Sequence, residues 1–122
     1  RQGAIATSVS HDAHNIIAAG ASDAEIISAV KAVSEAGGGM AVVIGDETTV
    51  LSLPAGGLMT FKPYEGVLDE MAVLNEALEK TGADKKAFMS LSFMALTVVP
   101  HLKITPRGLF DGDSFSDTDI QC

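Results

Sequence analysis

Met40-Ala41-Val42-Val43-Ile44-Gly45-Asp46-Glu47-Thr48-Thr49-Val50-Leu51-Ser52-Leu53 is the stretch that decides the fold. Two runs rich in β-branched residues flank a Gly-Asp-Glu turn, and together they read as an antiparallel hairpin. A second hairpin precedes it. Gly3 to Ser10 alternates Ile5, Thr7 and Val9 against small residues, as a half-buried strand does, and Asn15-Ile16-Ile17-Ala18-Ala19 is a short apolar run closed by Gly20. Between the hairpins, Ser22 reads as an N-cap and Glu25, three residues on, completes a capping box. Ile26, Ile27, Val30 and Val33 then recur on one side of a helix. Gly37-Gly38-Gly39 ends it, one of the three supplying a left-handed cap. A phosphate cradle fits poorly there, because such a loop follows a strand and opens a helix, whereas these glycines do the reverse.

Beyond the second hairpin, Pro54-Ala55-Gly56-Gly57-Leu58-Met59 leaves regular structure. Its paired glycines bring backbone close to a ligand or another domain, or else they serve a flexible connector whose Leu58 and Met59 tuck into the core. Pro63 suits the first turn of a helix that carries Val67, Leu68, Met71, Leu74 and Leu78 and stops at Gly82. Glu65, Asp69, Glu70, Glu76 and Glu79 make its solvated face, with Glu76 and Lys80 spaced for an ion pair. Asp84 caps a segment running through Phe88, Leu91 and Phe93, read as a short helix to Met94 and extended chain thereafter. Leu102 to Asp111 has strand alternation broken by a turn, and residues 112–122 form a polar, acidic tail expected to fray. Helices that follow hairpins, rather than alternating singly with strands, predict an α+β fold. Its sheet is mostly antiparallel or mixed, layered with two to three helices.

Composition narrows the function. The 122 residues make one domain, residues 1–122, able to bury a core without staples. Hydrophobic residues are 47% of the chain but aromatics only 5%, so Ala, Val, Ile, Leu and Met fill the interior. No apolar run reaches the roughly eighteen residues of a membrane span. A net charge of −8 without a basic cluster repels phosphate backbones and argues against nucleic acid. Cys122, the sole cysteine, excludes an internal disulfide and fits a reducing, cytoplasmic compartment. The chain opens at Arg1 with residues that already read as strand, which suggests a piece of something longer.

One stretch has chemical character. Ser10-His11-Asp12-Ala13-His14-Asn15 places two of three histidines and a carboxylate within four residues. Imidazoles titrate near neutrality and ligate metals, and Asp or Asn can orient them. On a strand His11 and His14 would face opposite ways. At a tight turn between strands they converge on one ligand, the arrangement favoured here; the alternative is a turn that they merely brace. His101, alone after Pro100, reads as structural.

Several motifs in order carry a resemblance. His11-Asp12-Ala13-His14-Asn15-Ile16, Gly37-Gly38-Gly39-Met40, Leu53-Pro54-Ala55-Gly56-Gly57-Leu58-Met59, Leu91-Ser92-Phe93-Met94-Ala95-Leu96 and Leu102-Lys103-Ile104-Thr105 with Arg107-Gly108-Leu109 resemble the C-terminal domain of bacterial adenine deaminases, of the amidohydrolase superfamily. Ala13, Ala55 to Gly57 and Thr97 depart from that pattern, where Ser, a branched residue with Ala and Gly, and Pro are usual. The resemblance implies metal-dependent hydrolysis of adenine to hypoxanthine and ammonia, with manganese or iron held at the mouth of a preceding α/β barrel. Such a barrel needs about 250 residues of its own, and this chain lacks a His-x-His pair. The chain alone is therefore expected to be inactive and to complete no metal site. Its expected partners are the catalytic barrel, fused or separate, adenine, and further copies in a homo-oligomer. Within that enzyme His11, Asp12 and His14 would line the purine pocket or form an active-site lid, with Asn15 bracing the turn. The other reading is a structural or oligomerisation module whose histidines fix the hairpin.

Overall fold

The computed structural model describes residues 2–12 and 14–119. The expectations placed on Arg1, Ala13 and Cys122 lie outside them. The hairpin is there. Strand β3 (Gly39–Ile44) pairs antiparallel with β4 (Glu47–Ser52), Ile44 opposite Glu47, so Gly45 and Asp46 alone make the turn. Strand β1 (Ala4–Thr7) pairs antiparallel with both β3 and β2 (Ile17–Gly20), giving a four-stranded sheet in the order β2-β1-β3-β4.

Strand alternation sorts the side chains into two cores. Ala4, Ala6, Ala41 and Val43 face helix α1 (Asp23–Glu35), which contributes Ala29 and Val33. Alanine on both sides lets that helix lie close to the strands. Ile5, Val42 and Leu51 face the other way, against Leu74 and Leu78 of α2 (Tyr64–Thr81) and Phe88 and Leu91 of α3 (Ala87–Phe93). The result is helix, antiparallel sheet, helices: the α+β fold expected.

Caps fall where the sequence puts them. The backbone N–H of Glu25 donates to Ser22 Oγ, whose hydroxyl donates to Glu25 Oε2 at 2.8 Å. The same carboxylate accepts from the backbone N–H groups of Gly3 and Gly45, joining the start of β1 to the β3–β4 turn. At the far end Gly38 N–H reaches Val33 O and Gly37 N–H reaches Ser34 O, a full Schellman closure. The Ser22 hydroxyl, and then the Gly45 and Gly3 amides, hold the Glu25 carboxyl below its ordinary value of 4.5. Its contribution to stability is therefore present above the unfolded-state pKa and lost as pH falls through the lower folded value. Glu25→Gln is expected to lower the melting temperature at pH 7 and to flatten its acid limb below pH 4.5. An unchanged acid limb would mean that the carboxylate bridges nothing of consequence.

Three expectations need correction. Residues after Met94 are not extended: Leu96 N–H reaches Phe93 O and Val99 N–H reaches Leu96 O, so the chain winds through successive turns. The acidic tail contains a strand, because β5 (Leu102–Thr105), β6 (Gly108–Asp111) and β7 (Ser116–Thr118) form a second antiparallel sheet. Phe110 and Phe115 meet edge to face at 5.2 Å. On α2, Glu79 pairs with Lys85, and Glu70 with Lys62, while Glu76 and Lys80 form no ion pair.

Candidate functional site

Antiparallel topology brings four separate segments to one end of the larger sheet: the exit of β1, the entry of β2, the Gly37–Gly39 turn entering β3, and the segment leaving β4. Ser8 is the point where they meet. It is 5% exposed. Gly39 N–H donates to its Oγ at 2.8 Å, and its hydroxyl donates to Gly57 O at 2.7 Å. Backbone bonds from Ser8 N–H to Gly39 O and from Leu53 N–H to Gly38 O close the junction. Gly38 and Gly57 touch directly, a Cβ on Gly38 falling 2.3 Å from Gly57 Cα. Here the paired glycines do bring backbones together, but the approach is to this domain's own Gly37–Gly39 turn rather than to the ligand or other domain that the sequence suggested. Leu58 and Met59 do not tuck into the core; Met59 is 65% exposed. The turn is anchored by Gly57, which leaves its apolar side chains outside.

On this junction stands the histidine loop. It runs from Ser8 to Ile16, a longer connection than the tight turn expected, although it does join paired strands. His11, Asp12, His14 and Asn15 are all exposed. His11 leans on Phe93 at the end of α3, ring centroids 5.2 Å apart and tilted by 33°. Ser10 Oγ donates to Ser92 O at 3.4 Å. Both contacts tie the loop to α3. His101 stands just before β5, where its Nδ1 lies 2.9 Å from Asp113 Oδ2.

Among the described residues no three His, Cys, Asp or Glu side chains stand close enough to hold one metal ion. The described residues do not fit a manganese or iron centre. What the loop offers is recognition chemistry: two imidazoles, a carboxylate and an amide in water, backed by an aromatic ring, with Leu58 and Met59 on a neighbouring turn. Ser8, Ser10 and Phe93 were not singled out by sequence. A small hydroxyl residue ending a strand was the available signal for Ser8. Phe93 lay within a quoted motif but carried no assigned role.

The family described as "Adenine deaminase C-terminal domain" matches residues 1–116. The adenine deaminase of Methanoculleus marisnigri is 50% identical over 120 residues, 98% of this chain and 23% of that protein. The adenine deaminase of Methanoregula boonei is 49% identical over 98% of this chain and 22% of its own length. That of Bacillus pumilus is 48% identical over 99% of this chain, again 22% of its length. The chain thus spans less than a quarter of these relatives, and all of its motifs lie within the matched part.

Proposed function

The chain belongs to the adenine deaminase C-terminal domain family, and from that premise we propose that it works as the C-terminal part of an adenine deaminase. In this reading the histidine loop closes over the barrel domain where adenine and water become hypoxanthine and ammonia. His11, Asp12 and His14 face the purine pocket and Asn15 braces the loop. Any manganese or iron would be held by residues of the barrel rather than of this chain, and would supply an activated hydroxide there. The enzyme would serve purine salvage in the cytoplasm. One observation carries the proposal: motifs far apart in sequence meet at one end of the sheet, and that end presents exposed polar and apolar side chains. A solvated surface with no partner would gain nothing from Met59 held in water.

The His11–Phe93 contact favours a second reading, in which the imidazole only pins the loop to α3. His11→Phe separates them, because it keeps a ring against Phe93 and removes both nitrogens. In the full-length enzyme, His11→Phe and His14→Ala are each expected to lower kcat/KM for adenine about tenfold, roughly 1.4 kcal/mol of transition-state stabilisation. Full activity in His11→Phe and His14→Ala would leave the loop a structural role only. The 122-residue chain alone, supplied with manganese, is expected to turn over no adenine.

A further inference from the structure

We infer that the outer edge of β2 pairs with the same edge of a second copy of this chain. The direction of each backbone group follows from the ladder. Ala21 N–H donates to Gly3 O, so the facing pairs Ile5–Ala19 and Thr7–Ile17 share hydrogen bonds, and Ala4–Gly20 and Ala6–Ala18 do not. The N–H and C=O groups of Ala18 and Gly20 therefore point away from β1, where β2 is the last strand of the sheet. Edge strands are ordinarily blunted by charge, proline or a bulge. This one has none of these.

Charge singles out this edge as the self-association surface. The chain carries −8, so most ways of bringing two copies together repel. Residues 13–22 contain no Asp, Glu, Lys or Arg. The opposite edge, β4, begins with exposed Glu47 beside Asp46, so two copies meeting there would set carboxylates against each other.

The strand is also self-complementary. An antiparallel pairing about a two-fold axis at Ala19 sets Ala18 opposite the partner's Gly20, and Gly20 opposite the partner's Ala18. All four outward-pointing groups of each strand are then satisfied. At the axis two alanines meet across a non-hydrogen-bonded pair, whose Cα atoms approach to about 4.5 Å, a spacing suited to methyl groups. Ile17 falls opposite the partner's Ala21, large against small. Beside this edge lies a mostly apolar cleft of about 670 Å³, lined by Ile5, Ala19, Ala21, Leu91 and Met94 among others, with Asp84 its one charged lining residue. The partner's Ile17 would sit at its rim. Two four-stranded sheets become one of eight strands.

Sedimentation velocity on the 122-residue chain, from about 10 µM to about 1 mM, reads the association directly; so small an interface belongs to the weak class. A dimer population that grows with concentration is expected. Ala19 is exposed, so charges there spare the core. Ala19→Glu and Ala19→Lys should each weaken the dimer about tenfold or more, by placing like charges across the axis, and an equimolar mixture of the two should restore it. Hydrogen exchange on the unmodified chain provides a measurement independent of any variant. The Ala18 and Gly20 amides should gain protection with concentration while those of Ile17 and Ala19 stay protected throughout. A chain that remains monomeric at 1 mM, a dimer indifferent to both charges, or Ala18 and Gly20 amides unprotected at every concentration would overturn the inference.

Discussion

Gly39→Ala is expected to cost about 4 kcal/mol or more, a large part of the stability of a domain this size. Two causes act together. Gly39 has a φ of 132°, a backbone conformation that side-chain-bearing residues rarely adopt. A Cβ there would lie 1.9 Å from the Leu51 carbonyl oxygen and 3.1 Å from Leu53 N. Neither neighbour is a flexible side chain. Leu51 lies in β4 and Leu53 directly follows it, so relief of the clash requires β3 and β4 to part at their first pair. Gly56 is the control. It too has a positive φ, 67°, but no atom lies within 4 Å of its would-be Cβ. Gly56→Ala should therefore cost only the conformational term, about 1 kcal/mol. Urea titration of the two variants gives the comparison. Equal midpoints would show that φ, rather than the approach of Leu51, governs Gly39.

The difference between these glycines marks where sequence reading stops. Gly37-Gly38-Gly39 were legible as a helix terminus because helix propensity and the apolar run that follows are local properties. What each glycine touches is not local. The Leu51 carbonyl sits over Gly39 because β4 folds back on β3, and Gly57 reaches Gly38 because the chain crosses the end of the sheet. The strands of the first sheet were readable for the same reason that the helices were: Ile5, Val42 and Leu51 alternate with alanine and valine on opposite faces. The second sheet was half seen. Thr105-Pro106-Arg107-Gly108 announces a turn, whereas β7 reads Ser116-Asp117-Thr118, polar throughout and exposed along most of its length. Such a strand owes its form to pairing with β6 rather than to burial, and composition cannot reveal it. In the candidate site, His11 and His14 stood out chemically. Their support by Ser8, Ser10 and Phe93 depends on contacts across 31 to 82 residues of sequence.

Ser8 is where this support can be tested. Ser8→Ala keeps the backbone and Cβ but leaves two buried partners wanting, the Gly39 N–H and the Gly57 carbonyl. Each buried group deprived of its hydrogen bond costs about 1–3 kcal/mol. The sum expected is about 3 kcal/mol, or a fall of roughly 10 °C in melting temperature. A surface serine would cost a few tenths of a kcal/mol, so the measured value decides whether the hydroxyl bridges the two turns. The consequence for the site is specific. Without the bridge, the Gly57 turn is released from β1, and the histidine loop loses one of its two anchors while the contact with α3 remains. In the full-length enzyme Ser8→Ala should therefore lower adenine turnover by way of the loop, and combining it with His11→Ala should lower turnover by less than the product of the two separate effects. Independent, multiplicative losses would mean that Ser8 holds the fold alone. A Ser8→Ala variant with wild-type stability would mean that the two turns meet without it.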